Sequence, residues 1–556
     1  VEGLEDRAVP SAGALDPTFS AGGTVTTSLG STSDTARGLV QQADGKIVVV
    51  GSTVTNGRTV FGLARYLPGG GLDGAFGTGG VVRTSVTTKG PQWASAATVQ
   101  ADGKIVVVGT ANVGQSHNTF PTIYDNAIVV ARYNSDGSLD KTFNKSGALL
   151  INPTSGDDEG KAVAVQSDGK ILIGGWTNHS AATGYSTVTG NDFFLARVTA
   201  SGTLDSTFGS GGMVSTDFCL VRPAWFTGYM MDEASAVMLL PDGKILAAGD
   251  TVHGFALARY NANGSLDTAY GTGGLARLGT DALVASPGGP DGQVGDVSAA
   301  LQPDGKVALN GSLYRPSIDP AAYDLLVARA DAAGNPDPTF GTSGLVTFGI
   351  GTDPTTHMSY NEWAGGIGLQ SDGSIVVGGT QGFTNTATGE SGSDALLVRF
   401  TPAGALDGTF GSGGSVTTDV RRNDFANALV VQSDGKIVQA GSTDAGSDSD
   451  LLVARHLPSA PQIGSFTASQ VGAGAPVTLT AANITDANPN ATVRQVDFYY
   501  FDSGGNKVSL GTATQGSGGA WSVSVNLTAG TYTVYAQATD SYGVLGDAVS
   551  LTLTVS

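Results

Sequence analysis

The side chains best suited to grip a ligand fall where a repeated pattern in this chain changes length. Trp93, Trp176, Trp225 and Trp363 are four of its five tryptophans, and His117, His179, His253 and His357 four of its five histidines. The stretch "CLVRPAWFTGYMMDE" gathers Arg222, Trp225, Phe226 and Tyr229 within a few residues, and Tyr314, Arg315 and Tyr360 stand on comparable stretches. Exposed aromatics and arginines anchor interfaces, and aromatic rings also stack on sugars. The candidate ligand-binding set is therefore Trp93, His117, Trp176, His179, Arg222, Trp225, Phe226, Tyr229, Tyr314, Arg315, His357, Tyr360 and Trp363. The plainer reading of the aromatic insertion is a small private core folded over the scaffold.

Other chemistry is thinner. "SGDDEG" supplies Asp157, Asp158 and Glu159, and "STDAGSDSD" supplies Asp444, Asp448 and Asp450. Either run could bind Ca²⁺ through oxygen ligands, but neither has the spacing of an EF-hand loop, and a solvated charge cluster explains both. No other cofactor is implied. Cys219 is the only cysteine, which excludes a cysteine-based zinc site and any intrachain disulfide. There is no His-Glu-x-x-His, no nucleophile elbow in a strand–helix setting and no phosphate loop. His117, His179 and His357 could meet from separate copies of the repeat, but three scattered histidines read first as surface residues. On these grounds the chain is expected not to be an enzyme.

What positions these residues is a repeat. Asp-Gly followed by an apolar run starts at Asp44, Asp102, Asp168, Asp242, Asp304, Asp372 and Asp434, with Lys next in every copy except Ser374. A Leu-Asp-x-x-Phe-Gly pattern starts at Leu15, Leu72, Leu139, Leu204, Leu266, Pro336 and Leu406. A third signal, an apolar run ending in Arg, gives Arg65, Arg132, Arg197, Arg259, Arg329, Arg399 and Arg455. One copy holds four strand-like segments: Ala94–Gln100, Lys104–Gly109, Ala127–Tyr133 and Gly147–Ile151. Asp-Gly supplies the tight hairpin turn between the first two. Four antiparallel strands per repeat make a propeller blade, which must pack against neighbours to bury both faces. The expected fold is all-β, a seven-bladed propeller. The first strand, near Thr24–Ser28, should close the ring as the outer strand of the last blade, which removes two open edges. The repeated Arg residues read as structural, each pairing with the Asp of a Leu-Asp motif such as Asp73 or Asp140.

Length separates two faces of the disc. Arg to the next Leu-Asp start is constant, as in Arg65 to Leu72 and Arg399 to Leu406. Asp-Gly to Arg varies from 17 residues (Asp242 to Arg259) to 30 (Asp102 to Arg132). Variation on one face alone is where recognition can change without disturbing the scaffold.

The unit "AVAVQSDGKILIGG…FFLARVTASGTLDSTFGSGGMV" resembles the delta-60 repeat family of bacterial secreted proteins, over residues 15–457, and its layout is similar to kelch blades, with Gly-Gly closing the second strand at Gly174–Gly175 and Gly378–Gly379. The resemblance implies the propeller fold and a secreted or cell-surface bacterial protein. "LEDRAVPS" near the start resembles a segment of exported planctomycete proteins, and a disordered tail is the alternative for residues 1–14. After "HLPSAP" the pattern stops. Residues 459–556 alternate apolar and polar in five segments, from Val477 to Val555, which suggests an Ig-like sandwich with Trp521 and Tyr532 in its core. "AGTYTVYAQATDSYG" resembles bacterial Ig-like modules of surface proteins. Residues 15–458 are then the propeller.

Composition bounds the partners. The 556 residues carry a net charge of −20, so nucleic acid, which needs Lys and Arg on phosphates, is not expected. No apolar run reaches the ~18–20 residues of a membrane span. The chain starts at Val1 without a signal peptide, and an upstream leader would fit a secreted protein. The expected function is binding or adhesion, with a protein or glycan ligand on the variable face. The alternatives are a self-associating subunit of an extracellular lattice or filament, and a polysaccharide-active enzyme.

Overall fold

The computed structural model describes residues 12–116, 123–183, 186–218, 230–251, 254–279, 293–315, 323–353, 357–444, 448–458, 461–470, 474–486, 492–502, 506–516, 518–541, 544–546 and 548–555. Every regular element among them is a β-strand, and no helix is long and apolar enough to cross a membrane. In the second unit the strands are Gln92–Val99, Ile105–Ser116, Ile123–Tyr133 and Ala148–Ile151, paired antiparallel in that order. The middle two overrun the sequence expectation because the long connection between them continues as paired hairpin.

The first strands of successive sheets are Thr35–Gln41, Gln92–Val99, Asp158–Val165, Glu233–Leu239, Gln293–Leu301, Met358–Leu369 and Asn423–Val431. Each touches the next, and the last touches the first, so the sheets ring a central channel. This is the β-propeller arrangement. Apolar side chains of neighbouring sheets share cores; Val48, Phe61, Val107 and Val129, for example, pack together with no exposure. Thr24–Thr27 pairs antiparallel with Ser449–His456, tying the chain's start to its last ring strand, as the repeat phase implied.

The repeated motifs build one inter-sheet clasp many times over. Arg65 Nε sits 2.9 Å from Asp73 Oδ2, and the same pair recurs from Arg132–Asp140 through Arg399–Asp407 to Arg455–Asp16 at 2.7–2.8 Å. The guanidinium lies over the motif's aromatic ring, 4.4 Å from Phe76 and 4.6 Å from Phe19. In six copies its Nη1 donates to a backbone carbonyl of the following sheet, as Arg132 does to Ala200 at 2.7 Å, whereas Arg399 Nη1 donates to Gln370 Oε1. The Lys of the Asp-Gly-Lys turn joins the same carboxylate, with Lys306 at 3.1 Å from Asp337. At Asp337 burial raises the carboxyl's pKa, but the Thr339 hydrogen bonds, Lys306 and Arg329 outweigh it and hold the group well below the usual carboxylate range.

Residues 462–555 form two four-stranded antiparallel sheets around a shared core that includes Leu479, Phe498 and Val534. Trp521 is buried in that core and Tyr532 packs against it.

Candidate functional site

The channel takes its character from one irregularity that every first strand shares. Pairing with the second strand slips at Ala36/Gly38, Ala94/Ala96, Gly160/Ala162, Ala234/Ala236, Gly295/Ser298, Ala364/Ile367 and Ala426/Ala428. Each slip is a β-bulge, which re-aims the unpaired residue. The bulge also presses the first strand's backbone against the second. A Cβ on Gly249 or Gly441 would lie 1.7 Å from the carbonyl oxygen of Glu233 or Phe425, so only glycine fits there.

The bulged residues line one cavity of about 550 Å³. The backbone device repeats, but the side chains do not: Arg37, Ser95, Lys161, Ser235, Val297, Gly365 and Asn427 stand at corresponding positions. Leu39, Ala97, Ala299, Ile367 and Leu429 follow two residues later and line the same cavity as an apolar belt. The first strands start at the variable connections, so the polar tier lies on that side of the belt.

Charge concentrates on one side of the ring. Lys161 Nζ is 3.0 Å from Glu159 Oε2. Burial disfavours the Lys161 ammonium, but Glu159 and Glu233 outweigh it and keep its pKa above the ordinary lysine value. Burial raises the Glu233 carboxyl, against Lys161 and a 2.8 Å hydrogen bond from Asn191 Nδ2. Asp250 is raised well above a normal carboxyl by burial, with Glu233 adding to the effect. Its position follows the close-packed glycine, where five other units carry Ser52, Thr110, Ser312, Thr380 and Ser442 and the sixth carries Trp176. Several of these hydroxyls accept a backbone N–H from the next sheet, as Ser312 does from Ala364 at 2.8 Å. Asp296 sits in one of the two widest bulges at φ +53°, exposed to the channel, and accepts a 3.2 Å hydrogen bond from Ser312 Oγ. Burial lowers the Arg37 pKa while Glu159 raises it, and the Arg37 guanidinium lies 5.9 Å from the centre of the Trp93 ring.

This constellation holds carboxyls that favour the neutral acid, a carboxylate beside an ammonium, and an arginine near an indole. It can donate and accept hydrogen bonds at once, and its raised carboxyls are the groups suited to proton transfer. A larger groove of about 730 Å³, lined by Gln42, Arg65 and Ser135, lies on the turn side; its polar groups belong to the repeated clasp, so it is scaffold.

The sequence-derived candidates divide. Trp93 stands in its first strand beside Arg37. Trp363 lies 5.9 Å from Tyr323, whose ring packs tilted 4.9 Å from Tyr314, forming an aromatic group between adjacent sheets. Arg315 is committed to an ion pair with Asp324. Tyr360 is half-buried in the same strand as Trp363, while His357 is exposed at that strand's start and its carbonyl accepts the Thr386 N–H at 2.8 Å. Trp176 is buried in its strand. His117, Arg222, Trp225, Phe226 and Tyr229 lie outside the described residues, as does the side chain of His179.

Among the described residues, neither acidic run gathers three carboxylates around one point. Successive strand residues point to opposite faces, so Asp158 turns inward to accept from Thr154 and Thr177 while Glu159 pairs with Lys161. Burial and the neighbouring Glu159 and Asp158 push Asp157 up to about 6. Asp450 pairs with Arg421 at 2.8 Å, Asp444 accepts from Asn423, and Asp448 is exposed. The acids that do converge are others: Asp192, Asp217 and Asp232, and Asp394, Asp419 and Asp424, each set with carboxylate oxygens within 4.8 Å of one another. No contiguous motif announces them, because each set spans three strands.

A family model described as "Domain of unknown function (DUF5122) beta-propeller" matches residues 42–76, 100–120, 124–143, 166–208, 240–270 and 370–410. The likeness is to a β-propeller. No curated protein matches the chain. Among similar solved structures, Sqt1 from Chaetomium thermophilum has 13% identity over 78% of this chain and 99% of its own, with a TM-score of 0.37. The PQQ-bound aldose sugar dehydrogenase of Streptomyces coelicolor has 12% identity over 78% and 98%, with a TM-score of 0.27. The polysaccharide lyase Uly1 has 11% identity over 78% and 90%, with a TM-score of 0.30. Two of these are enzymes by name. The expectation that this chain is not an enzyme is corrected to an open question: folds like this one include named enzymes, and contiguous motifs were the wrong test, because a propeller can draw acid and base groups from different sheets.

Proposed function

We propose that this protein is a secreted or cell-surface carbohydrate-recognising propeller that seats a neutral sugar at the polar tier of its channel. In this reading residues 15–458 are a seven-bladed ring closed by the N-terminal strand, and residues 459–556 are an Ig-like module that presents it. Seven copies of the Asp-Gly turn and the closed cycle of first strands support the ring. Two facing sheets with one core support the module. The likeness of the repeat and of the last domain to secreted bacterial proteins supports the location.

The observation that carries the function is the convergence of non-repeated polar residues on the channel: Arg37, Lys161 and Asp296 line it, and Glu159, Glu233 and the buried Asp250 act on them electrostatically from behind. Sugar hydroxyls both donate and accept, and this set offers both roles with an aromatic ring alongside. Carboxyls outnumber cations there, which disfavours a polyanionic ligand. The Glu233 carboxyl, whose pKa burial raises, favours a second reading, acid–base cleavage of the bound polysaccharide, because a raised carboxyl is a better proton donor to a leaving oxygen than an ordinary one.

A glycan array probed with the full chain tests the proposal, followed by product analysis on any polysaccharide that binds. Lys161→Ala and Glu233→Gln should abolish binding while the melting midpoint stays near wild type. New reducing or unsaturated ends that vanish in Glu233→Gln would establish cleavage. Retention of full affinity in both variants would place the ligand elsewhere.

A further inference from the structure

We propose that Asp394, Asp419 and Asp424 bind a calcium ion at the junction of two adjacent ring sheets, a site separate from the channel. Asp394 lies in the strand Ser391–Phe400, Asp419 follows the strand Ser415–Thr418, and Asp424 lies in Asn423–Val431, the first strand of the next sheet. One carboxylate oxygen from each lies within 4.8 Å of the other two. These are hard oxygen donors without nitrogen or sulfur, the set that suits Ca²⁺.

The second observation is the state of Asp424. Its side chain has 0% exposure. Oδ2 accepts the backbone N–H groups of Val420 at 2.6 Å and Arg421 at 3.0 Å, whereas Oδ1 has no hydrogen-bond partner. A buried carboxylate oxygen left unpaired is costly, and a cation is the partner that would satisfy it. A cavity of about 430 Å³ opens beside the triad, lined by Asp394, Asp419, Glu390 and Ser391, with room for coordinating water.

The repeat supplies an internal control. The position of Asp394, five residues before the repeated Arg, is also acidic at Asp324 and Asp450. Those two carboxylates are each neutralised by an arginine, Arg315 and Arg421, and the third acid is absent there: Gly349 and Ser28 stand where Asp419 does. Arg421 is thus already engaged with Asp450 at 2.8 Å. Arg422 lines the cavity but makes no ion pair among the described residues. Where three acids meet, no described arginine neutralises Asp394, and a divalent ion would complete the site. Asp192, Asp217 and Asp232 hold the same repeat positions and also converge within 4.8 Å.

The test is melting and isothermal titration of the full chain, stripped with EDTA, against CaCl₂ and MgCl₂ at about 1 mM, a range that covers weak extracellular-type sites. CaCl₂ should raise the wild-type melting midpoint by a few °C, and MgCl₂ by clearly less. Asp419→Asn, an exposed change, and Asp394→Asn should each remove one bound Ca²⁺ per chain, while Asp448→Ala should remove none. An unchanged midpoint and no binding heat in wild type would overturn the proposal. So would full stoichiometry in both triad variants, or an equal response to Mg²⁺. A large loss of stability in Arg422→Ala with no calcium response in wild type would assign the counter-charge to Arg422 instead.

Discussion

The turn side of the ring and its channel are built by opposite rules. On the turn side each sheet repeats both backbone and chemistry: Asp140 holds Arg132 and Lys104, Asp337 holds Arg329 and Lys306, and an aromatic ring lies under each guanidinium. In the channel each sheet repeats the backbone bulge but changes the side chain, from Arg37 to Ser95 to Lys161 to Asn427. Constant chemistry on a constant frame holds sheets together. Variable chemistry on a constant frame makes one asymmetric site at the centre of a symmetric body, and that difference points to the channel as the place of function.

The comparison can be broken most forcefully on the scaffold side. Asp337→Ala strands a buried guanidinium and should cost about 3–5 kcal/mol in urea unfolding. A much smaller loss would mean that the clasp is decorative. Next in size is Gly441→Ala, whose Cβ would meet the Phe425 carbonyl at 1.7 Å, so roughly 1–3 kcal/mol should be lost through forced backbone shift. Channel changes should behave differently. Lys161→Ala should leave the unfolding midpoint within about 1 kcal/mol of wild type while removing ligand binding.

A smaller effect follows from Glu362, whose carboxyl burial pushes up to about 7 despite a 3.3 Å hydrogen bond from Gln381. Its folded pKa exceeds its unfolded value, so its contribution to stability is fully present at acid pH, below the unfolded pKa, and is lost as pH rises through about 7. Glu362→Gln should therefore gain stability over wild type at pH 8 and not at pH 4, in parallel melts. Smallest of all, Ser374→Lys would restore the one missing clasp lysine beside Asp407 and should add no more than about 1 kcal/mol.

How much of this was legible in the sequence depends on whether the signal was local. The Asp-Gly turns announced the hairpins, since Gly45, Gly103 and Gly435 all need the positive φ they adopt. The Arg–Asp clasp was legible because both partners recur at fixed spacing. The bulge was not, because a register slip leaves no mark in the pattern of either strand. Its trace lay in departures from the repeat: Asp250 where five other units carry Ser or Thr and one carries Trp176, and Lys161 and Arg37 among small or neutral residues. The carboxylate triads were invisible for a related reason. Asp394, Asp419 and Asp424 meet only after three strands of two sheets are laid side by side, whereas the contiguous acids at Asp157 to Glu159 look like a site and are splayed apart by the strand's own alternation.

The most direct test of the claim that the asymmetric channel tier is the ligand seat is isothermal titration of one bound glycan against three chains: wild type, Arg37→Ala, and the clasp variant Lys46→Ala. The account predicts that binding is lost at Arg37→Ala and unchanged at Lys46→Ala, with all three chains folded. Equal affinity for wild type and Arg37→Ala, or loss at Lys46→Ala, would contradict it.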